Sequence, residues 1–250
     1  MKDYGFVVVH IPHASISIPE FYRKTILLND EQLSHELNRM TDIFCDELYT
    51  VSGFENILIS PVSRFVCDME RFRDDKLEPC AEYGQGLMYV KTYEGLQIRE
   101  YDEALRNKIL TELYDPHHQK LTDMVDTALS KYGKCLIIDG HSFGVSDEPD
   151  FDIGTDSFHT PTGLRDELCN KVEELGYTVK ENIPFAGAIT PMKHYQNDKR
   201  VVSVMIETNR KLYETDMKKS RDFDKTREVC HALMKCAADF IIEKFPHQEV

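Results

Sequence analysis

The chain of 250 residues is long enough to bury a sizeable core, and its 41% hydrophobic and 30% charged residues are typical of a folded protein. Its formal net charge of -14 argues against nucleic acid as a partner, because binding to phosphates needs a basic surface. The seven cysteines are scattered without a Cys-x-x-Cys pair, which argues against both a disulfide framework and a zinc ribbon.

No apolar run approaches the roughly 20 residues that a membrane-spanning helix needs. The stretch Met1–Gly5 leads directly into a predicted strand, without the apolar core or small-residue cleavage site of a signal peptide. We therefore expect a cytoplasmic protein with no membrane partner. Because α/β folds of this length commonly form one domain, we also expect a single domain over residues 1–250.

Short apolar runs rich in β-branched residues predict the strands. In chain order these are Phe6–His10, Ile57–Ile59, Arg64–Asp68, Cys135–Asp139, Tyr177–Lys180 and Val201–Glu207. Apolar residues at helical spacing predict the helices Asp30–Tyr49, Ile98–Tyr114, Asp115 to about Tyr132, Thr162–Leu175 and Arg221–Phe245. The stretches Glu78–Gly95 and Gly144–Pro161 lack periodicity, which predicts irregular backbone and a loop. The alternation of strands and helices favours an α/β fold with three α/β/α layers and a mostly parallel central sheet.

Polar residues stand at the ends of the three strongest predicted strands: His10 and His13, then Asp139 and His141, then Glu207. The carboxyl ends of strands in an open α/β sheet meet in one crevice, where ligands bind. Two histidines and carboxylates in such a crevice are what a catalytic zinc ion needs, with one position left open for water. We interpret His13 and His141 as functional residues, and we expect His10 to be a structural polar residue.

A competing interpretation rests on the motif Gly140-His141-Ser142-Phe143-Gly144, which fits the G-x-S-x-G pattern of serine hydrolases and follows a strand. In that case Ser142 is the nucleophile, and a later Asp and a later His complete a triad. The pattern requires a sharp turn from strand to helix. Residues 145–150 lack an apolar helical face and contain a proline, so we rank this interpretation second.

Seven short motifs occur in an order that resembles the N-formylglutamate amidohydrolase family, whose members are relatives of the zinc carboxypeptidases. They are Pro12-His13-Ala14-Ser15 with Ile18-Pro19, Thr41-Asp42 before Leu48-Tyr49, Ser63-Arg64-Phe65 with Asp68 and Arg71, Pro116 with His118, Ile138-Asp139-Gly140-His141-Ser142, Pro184-Phe185 with Gly187, and Ile206-Glu207-Thr208-Asn209-Arg210 with Leu212-Tyr213. The resemblance covers nearly the whole chain. It implies a phosphorylase/hydrolase-like fold of the zinc carboxypeptidase kind.

The resemblance also implies the metal ligands. His13 resembles the first zinc ligand of this superfamily, and His141 resembles the last. Carboxypeptidases carry a glutamate three residues after the first histidine, and this chain has Ile16 there. We take Asp42 of the Thr-Asp motif as the carboxylate ligand, with Asp46 as the reserve.

The resemblance further implies the residues that act on the substrate. Glu207 resembles the superfamily's general base. Arg71 resembles the arginine that binds the substrate carboxylate, although the neighbouring position is Glu70 where the family has asparagine. A guanidinium suits this role because its planar fork binds a carboxylate through two hydrogen bonds. Arg64 is a second expected anion contact, and Ser142 is expected to contact the substrate.

These features predict an amidohydrolase that uses one Zn²⁺ ion to release formate and the free amino acid from an N-formyl amino acid such as N-formylglutamate, or another acid from an N-acyl amino acid. The expected partner is a small carboxylate substrate. Three alternatives stay open: a carboxypeptidase or γ-glutamyl-type hydrolase on the same zinc site, a serine hydrolase that uses Ser142, and a binding protein without catalysis.

Overall fold

The computed structural model describes residues 2–144 and 149–245. The chain forms two compact units. Unit 1 comprises Met1–Ile11, Phe44–Leu58 and Leu121–Val250, and unit 2 comprises Pro12–Ile43 and Ile59–Lys120. The expectation of a single domain stays a prediction.

A six-stranded sheet forms the centre of unit 1. Its strands are β1 (Val7–Ile11), β2 (Asn56–Ile59), β3 (Cys135–Phe143), β4 (Phe151–Gly154), β5 (Val179–Glu181) and β6 (Val201–Asn209). They lie in the order β2-β1-β3-β6-β4-β5. β3 pairs in parallel with β1 and with β6, β4 pairs in parallel with β5, and β4 runs antiparallel to β6. The predicted α/β class with a mostly parallel sheet is therefore confirmed.

The helices of the chain are α1 (Glu20–Arg23), α2 (Asp30–Met40), α3 (Cys45–Leu48), α4 (Glu103–Ile109), α5 (Asp115–Tyr132), α6 (Thr162–Glu174) and α7 (Phe223–Lys244). A π-helical turn, Leu110–Tyr114, joins α4 to α5, and short 3₁₀ helices lie at Pro79–Tyr83 and Arg210–Leu212. A small hairpin consists of β7 (Glu214–Thr215) and β8 (Lys218–Lys219).

Both faces of the sheet in unit 1 are covered by helices. On one face, Val8 and Ile137 pack with Leu121 and Val125 of α5. On the other face, Thr208 contacts Cys230 of α7 at an Oγ1–Sγ distance of 3.5 Å. β1, β3 and β6 are buried along their full length, which explains why they are continuous apolar runs rather than alternating ones.

Unit 2 contains α1, α2 and α4, long irregular stretches between them, and two apolar clusters of its own. One cluster contains Tyr22, Val66, Leu87, Leu105 and Ile109 among others. The second contains Ile26, Leu28, Leu33, Phe65, Tyr89 and Ile98. Much of the chain that lines these clusters is irregular, so side-chain hydrogen bonds must satisfy backbone groups that a strand or helix would otherwise pair.

The predicted helix Asp30–Tyr49 is interrupted. Asn29 and Gln32 form a capping box that starts α2, but the helix ends at Met40. Thr41 is extended, and the N–H of Asp42 donates to the carbonyl of His13 at 3.0 Å, so the backbone leaves the helix at the Thr-Asp motif. Asp42 therefore lies on a loop, not on the helix that the sequence predicts.

Other predicted boundaries were wrong for local reasons. Arg64–Asp68 forms turns instead of a strand, and the predicted loop Gly144–Pro161 contains β4, a four-residue strand too short for a clear alternation. The helix expected from Ile98 begins only at Glu103, where the Asp102 side chain accepts the N–H groups of Ala104 and Leu105. Residues 145–148 of the predicted loop lie outside the described part of the chain.

Candidate active site

Four polar residues of unit 1 lie on one face of the sheet. His10 pairs with Asp139 between β1 and β3, and His141 pairs with Glu207 between β3 and β6. Asp139 and His141 are two residues apart on one strand, so their side chains point to the same side. All four are at most 4% exposed. The strand ends that the sequence predicts to be polar thus form a buried set, which we call the strand cluster (His10, Asp139, His141, Glu207).

Asp139 is the centre of the strand cluster. Its Oδ1 lies 2.8 Å from Nδ1 of His10 and 3.3 Å from Nε2 of His141, and its Oδ2 accepts the N–H of Ile189 at 3.0 Å. Burial alone would raise the pKa of Asp139, but His141 and His10 outweigh that effect and hold the pKa well below its usual range. Asp139 is therefore ionised and can only accept, so Nδ1 of His10 donates to it.

Glu207 lies within β6, where Asp152 of β4 is its antiparallel neighbour. A structural role in an ion pair with Arg210 is one explanation for a buried glutamate. Arg210 donates to Glu214, at 3.0 Å from Nε and 2.9 Å from Nη2, so Glu214 compensates its charge. Glu207 lies in register with His141 of β3, which suits a base next to a histidine.

Ser142 does not occupy a nucleophile elbow. It lies inside β3, which continues to Phe143, whereas the elbow places its serine on a sharp turn between a strand and a helix. Alternation along β3 places Ser142 on the opposite face from His141. Its Oγ is buried and has no hydrogen-bond partner among the described residues. The contact between Ser142 and a substrate stays a prediction.

The glycine before His141 has a packing role. A Cβ atom at Gly140 would lie 2.7 Å from the ring of Tyr49. The Tyr49 hydroxyl lies 2.7 Å from the carbonyl of Ile206 and 3.2 Å from that of His141. The Tyr49 hydroxyl thus contacts both β3 and β6 next to His141 and Glu207. Only glycine at position 140 leaves room for the Tyr49 ring.

In unit 2, His13 lies between two carboxylates. Its Nε2 is 2.8 Å from Oδ1 of Asp68, a hydrogen bond, and its Nδ1 is 3.7 Å from Oδ2 of Asp42, which is beyond hydrogen-bonding distance. All three side chains are buried. The sequence predicts His13 and Asp42 as neighbours, and unit 2 brings them together.

Asp68 accepts hydrogen bonds from several donors besides His13. Arg64 donates to Oδ2 through Nη2 at 2.9 Å, and the Tyr89 hydroxyl donates to the same oxygen at 2.6 Å. Burial would raise the pKa of Asp68, but Arg71, His13 and Arg64 hold it well below its usual range. Asp68 is therefore ionised, so Nε2 of His13 carries the proton of their hydrogen bond and Nδ1 carries the lone pair.

The two predicted anion-binding arginines differ in the donors they leave available. Arg64 uses all three nitrogens, because Nη1 also donates to the carbonyl of Met40 at 3.2 Å. Arg71 uses Nε for the carbonyl of Gln85 at 3.1 Å and Nη2 for the Tyr89 hydroxyl at 3.3 Å. Its Nη1 group has no partner in residues 2–144 and 149–245. Arg71 is thus better suited than Arg64 to bind an anion.

The other residues that the sequence indicates lie outside both the strand cluster and the network around Asp68. Ile16 is 51% exposed, and Asp46 lies exposed on α3, so neither resembles a buried ligand. Nε2 of His118 lies 2.9 Å from the carbonyl of Met69, which is a structural contact. Asp68 and Tyr89, in contrast, belong to the site in the structure but are not predicted by the sequence. The motif that contains Arg71 could have indicated Asp68, which lies three residues before it.

The chemistry of the donor set in unit 2 fits a zinc ion. With Nε2 of His13 donating to Asp68, a nitrogen lone pair and a carboxylate oxygen of Asp42 face each other at 3.7 Å. Zinc bonds both atom types at about 2.0–2.2 Å, so two atoms bound to one ion are at most about 4.3 Å apart. Metal-bound histidines usually donate their second N–H to a carboxylate, as His13 does. His141 in unit 1 also lies next to a carboxylate, with its Nε2 3.3 Å from Oδ1 of Asp139.

The sheet and the buried histidines and carboxylates at its strand ends define the protein as an α/β protein with a polar site at the carboxyl ends of its strands. Two solved structures have similar folds. An N-formylglutamate amidohydrolase from Ralstonia eutropha JMP134 has a TM-score of 0.81 and 20% identity, over 95% of this chain and 94% of that one. A gene product of Agrobacterium tumefaciens has a TM-score of 0.69 and 21% identity, over 96% and 94% of the two chains.

The sequence model of the N-formylglutamate amidohydrolase family matches residues 6–214. The chain belongs to this family, as the seven motifs indicated, and membership supports hydrolysis of an amide bond as its activity. No curated protein has a significant sequence match to this chain. No helix within residues 2–144 and 149–245 is long and apolar enough to cross a membrane.

Proposed function

We propose that the protein is a zinc-dependent amidohydrolase that cleaves N-formylglutamate, or a closely related N-acyl amino acid, to the free amino acid and a carboxylic acid. The protein ligands of a single zinc ion are His13, Asp42 and His141. The observation that carries this proposal is the geometry of His13, whose Nε2 is held by Asp68 while Nδ1 is 3.7 Å from Asp42. This arrangement fits a metal ligand with its supporting carboxylate.

Zinc, when bound, would supply a Lewis acid for the amide carbonyl and for the attacking water. Glu207 takes one proton from that water, whose oxygen forms the new bond to the acyl carbon. The C–N bond then breaks, and Glu207 delivers the proton to the leaving nitrogen. The products are formate, or the corresponding acid, and an amino acid with a free amino group.

Arg71 binds a carboxylate of the substrate in this proposal. Burial alone would lower the pKa of Arg71, but Asp68 outweighs that effect and the pKa is raised, so the guanidinium stays charged. Its available N–H groups match the two oxygens of a carboxylate. Arg64, whose nitrogens are all engaged, instead holds Asp68 in place.

The proposal is tested by loading the purified protein with zinc, measuring the metal content, and assaying N-formylglutamate before and after chelation. We expect about one zinc per chain and activity that is lost with the metal and restored by zinc. Activity that is unaffected by complete removal of metal would contradict the proposal and favour metal-free hydrolysis.

A substrate panel separates the proposed reaction from its alternatives. N-formyl, N-acetyl and larger N-acyl amino acids test the acyl group, while short peptides and γ-glutamyl peptides test the carboxypeptidase and γ-glutamyl alternatives. Zinc binding without turnover of any of them would favour the binding protein. A cytoplasmic location is part of the proposal, because all seven cysteines are free thiols, as in a reducing compartment.

A further inference from the structure

We propose that Ile183 and Phe185 bind the acyl group of the substrate, and that the protein therefore prefers an apolar acyl group larger than formyl. Both residues belong to the segment 183–186, Ile-Pro-Phe-Ala, which we call the apolar loop. All four of its residues are exposed. This inference rests on the proposed function, because it assigns a substrate class to the amide hydrolysis proposed there.

Both ends of the apolar loop are held by Thr155, the residue that follows β4. Before the loop, Asn182 turns the chain at a φ of 55°, a conformation that asparagine tolerates better than most residues. Its Oδ1 accepts the N–H of Thr155 at 2.8 Å, and its Nδ2 donates to Oγ1 of Thr155 at 2.9 Å. After the loop, the N–H of Gly187 donates to the carbonyl of Thr155 at 3.2 Å. The ends of the loop are therefore fixed to one residue of the sheet edge.

A buried carboxyl group holds the backbone of the loop itself. Oδ1 of Asp152 accepts the N–H of Ile183 at 3.0 Å, and Oδ2 accepts the N–H of Phe185 at 2.9 Å. Asp152 has no exposed surface, so turning the loop to bury its side chains would break two hydrogen bonds to a buried group. Ile183 and Phe185 are each 48% exposed. The fold thus keeps two large apolar side chains at the surface in a fixed position.

Strand register places this anchor next to the strand cluster. Asp152 of β4 lies directly opposite Glu207 of β6, and opposed residues of an antiparallel pair have their side chains on the same face. Glu207 is in turn in register with His141. The chain that leaves the loop also reaches the strand cluster, since Ile189 donates its N–H to Oδ2 of Asp139 at 3.0 Å. The apolar loop is therefore anchored on the sheet face that carries the proposed base.

The proposed reaction indicates which part of the substrate the loop contacts. Arg71 binds the carboxylate of the amino acid, and Glu207 acts on the amide. The acyl group lies on the far side of the amide from that carboxylate, so it is the part that remains for residues beside Glu207. A formyl group has no carbon beyond its carbonyl, whereas each CH₂ of a longer acyl chain gains free energy when it is buried against an apolar side chain.

The experiment measures kcat and KM for N-formyl-, N-acetyl-, N-butanoyl- and N-hexanoylglutamate with the wild type, Ile183→Ala and Phe185→Ala. We expect the kcat/KM of the wild type to rise from the formyl to the butanoyl compound. Phe185→Ala should lower kcat/KM for the butanoyl compound by about 10–100-fold and for the formyl compound by no more than about threefold, because only the longer chain reaches the ring. Ile183→Ala should show the same pattern with a smaller loss.

Met192→Ala is the matched control. Met192 is an apolar residue of the same stretch of chain and is 61% exposed. It lies two residues after Thr190, whose Oγ1 donates to Oγ of Ser203 at 3.2 Å. Ser203 precedes Glu207 by four residues on β6, which is about 13 Å along the strand. Met192→Ala should therefore change kcat/KM equally for all four acyl groups, and by no more than about twofold.

A wild type that prefers the formyl compound, or equal losses on the formyl and butanoyl compounds for Phe185→Ala, would overturn the inference. If the wild type hydrolyses none of the four compounds, the proposed function fails, and the compounds can then be titrated calorimetrically as unreacted ligands. Tighter binding of N-butanoylglutamate than of N-formylglutamate, lost in Phe185→Ala, would still support the apolar loop as an acyl-binding surface. Equal or absent binding of the two would overturn it.

Discussion

The strand cluster of unit 1 and the network around Asp68 in unit 2 place a histidine against a buried aspartate in different ways. In unit 1 the backbone sets the geometry, since His10, Asp139 and His141 lie in register on paired strands. In unit 2, Asp68 lies on irregular backbone, and side chains hold it, chiefly Arg64 and Tyr89. Each aspartate accepts a hydrogen bond from one histidine, Asp139 from Nδ1 of His10 and Asp68 from Nε2 of His13.

The difference lies in what compensates the buried charge. Asp139 has hydrogen bonds from His10 and from the backbone N–H of Ile189, both of which can be neutral donors, and its Oδ1 lies 3.3 Å from Nε2 of His141. Asp68 has permanently charged guanidinium groups. We expect the strand cluster to serve bond cleavage and proton transfer, and the arginine-rich network to serve binding of an anionic substrate. Substitutions in the strand cluster should therefore change kcat and metal content, and substitutions of the arginines around Asp68 should change the preference for charged substrates.

The largest effect is expected for His141→Ala. Removing this proposed ligand should abolish zinc binding at stoichiometric concentrations and nearly all hydrolysis, because a catalytic zinc ion has only a few protein ligands. Metal analysis and kcat/KM, together with a circular dichroism spectrum that shows a folded chain, provide the measurement.

Ser142→Ala is the matched control for His141→Ala, since it alters the next residue of β3 on the opposite face. We expect it to keep its zinc and most of its activity. An inactive Ser142→Ala variant that still binds zinc would instead revive a catalytic role for the serine.

Glu207→Gln should have the next largest effect. The amide is nearly isosteric, so zinc content and folding should stay unchanged, but it cannot accept the proton of water. We expect kcat to fall by about 10²–10⁴, the usual contribution of a positioned proton-transfer group. Loss of zinc from this variant would make Glu207 a ligand and remove Asp42 from that role.

Glu214→Gln tests whether any buried glutamate would behave in this way. Glu214 is 4% exposed, as is Glu207, but it pairs with Arg210. We expect Glu214→Gln to lower the free energy of unfolding, because it removes a carboxylate that compensates a buried guanidinium, and to affect kcat little. A large fall in kcat for both variants would show that Glu207 acts through the fold.

The two regions also differ in how far the sequence predicted them. Strand periodicity and the polar residues after it predicted that Asp139, His141 and Glu207 would meet, because parallel pairing brings the carboxyl ends of strands together. The roles of these residues came from the family resemblance. The sequence did not show that β3 extends beyond Asp139 to Phe143 or that β6 extends beyond Glu207 to Asn209, since polar residues there interrupt the apolar pattern.

The arrangement in unit 2 was harder to predict because no periodicity governs it. A strand was expected at Arg64–Asp68, but buried ionic hydrogen bonds stabilise turns there instead. The contact of Tyr89 with Asp68 joins residues 21 positions apart on irregular backbone, and no local pattern indicates it. For the same reason the sequence could not distinguish Arg71, which has an available Nη1, from Arg64, which does not.

Arg71→Ala tests that distinction in unit 2. Arg71→Ala removes a charge-assisted contact made of two hydrogen bonds. Its loss should raise the activation free energy by about 2–4 kcal/mol, which lowers kcat/KM for a carboxylate substrate by roughly 30- to 1000-fold. An amide analogue without the carboxylate should lose much less. Equal losses on the two substrates would mean that Arg71 only supports the fold.

Two other arginines are the controls for Arg71→Ala. Arg73→Ala removes a guanidinium that is paired with Asp115 and 59% exposed, and it should change neither substrate preference nor stability by much. Arg64→Ala leaves Asp68 with fewer donors and should mainly lower the free energy of unfolding. A charge-specific loss for Arg64→Ala, equal to that for Arg71→Ala, would show that both arginines contact the substrate.

The smallest effect is expected for Tyr49→Phe, which asks whether the backbone of unit 1 sets its site geometry without help. The hydroxyl lies 2.7 Å from the carbonyl of Ile206 and 2.8 Å from Oγ1 of Thr208, on the strand that carries Glu207. Burial raises the pKa of Tyr49 well above its usual value, so the hydroxyl stays protonated and donates. Removing the hydroxyl should lower the free energy of unfolding by about 1–3 kcal/mol, because its buried partners lose their hydrogen bond. Urea unfolding measures this change. Tyr132→Phe, which removes a hydroxyl that lies 3.3–3.4 Å from the carboxylate of the exposed Asp3, should change stability by less than about 0.5 kcal/mol. If strand pairing alone positions His141 and Glu207, Tyr49→Phe lowers stability but keeps kcat within about threefold of the wild type. A fall in kcat as large as that of Glu207→Gln would mean that this hydroxyl, and not the pairing of β3 with β6, aligns the two residues.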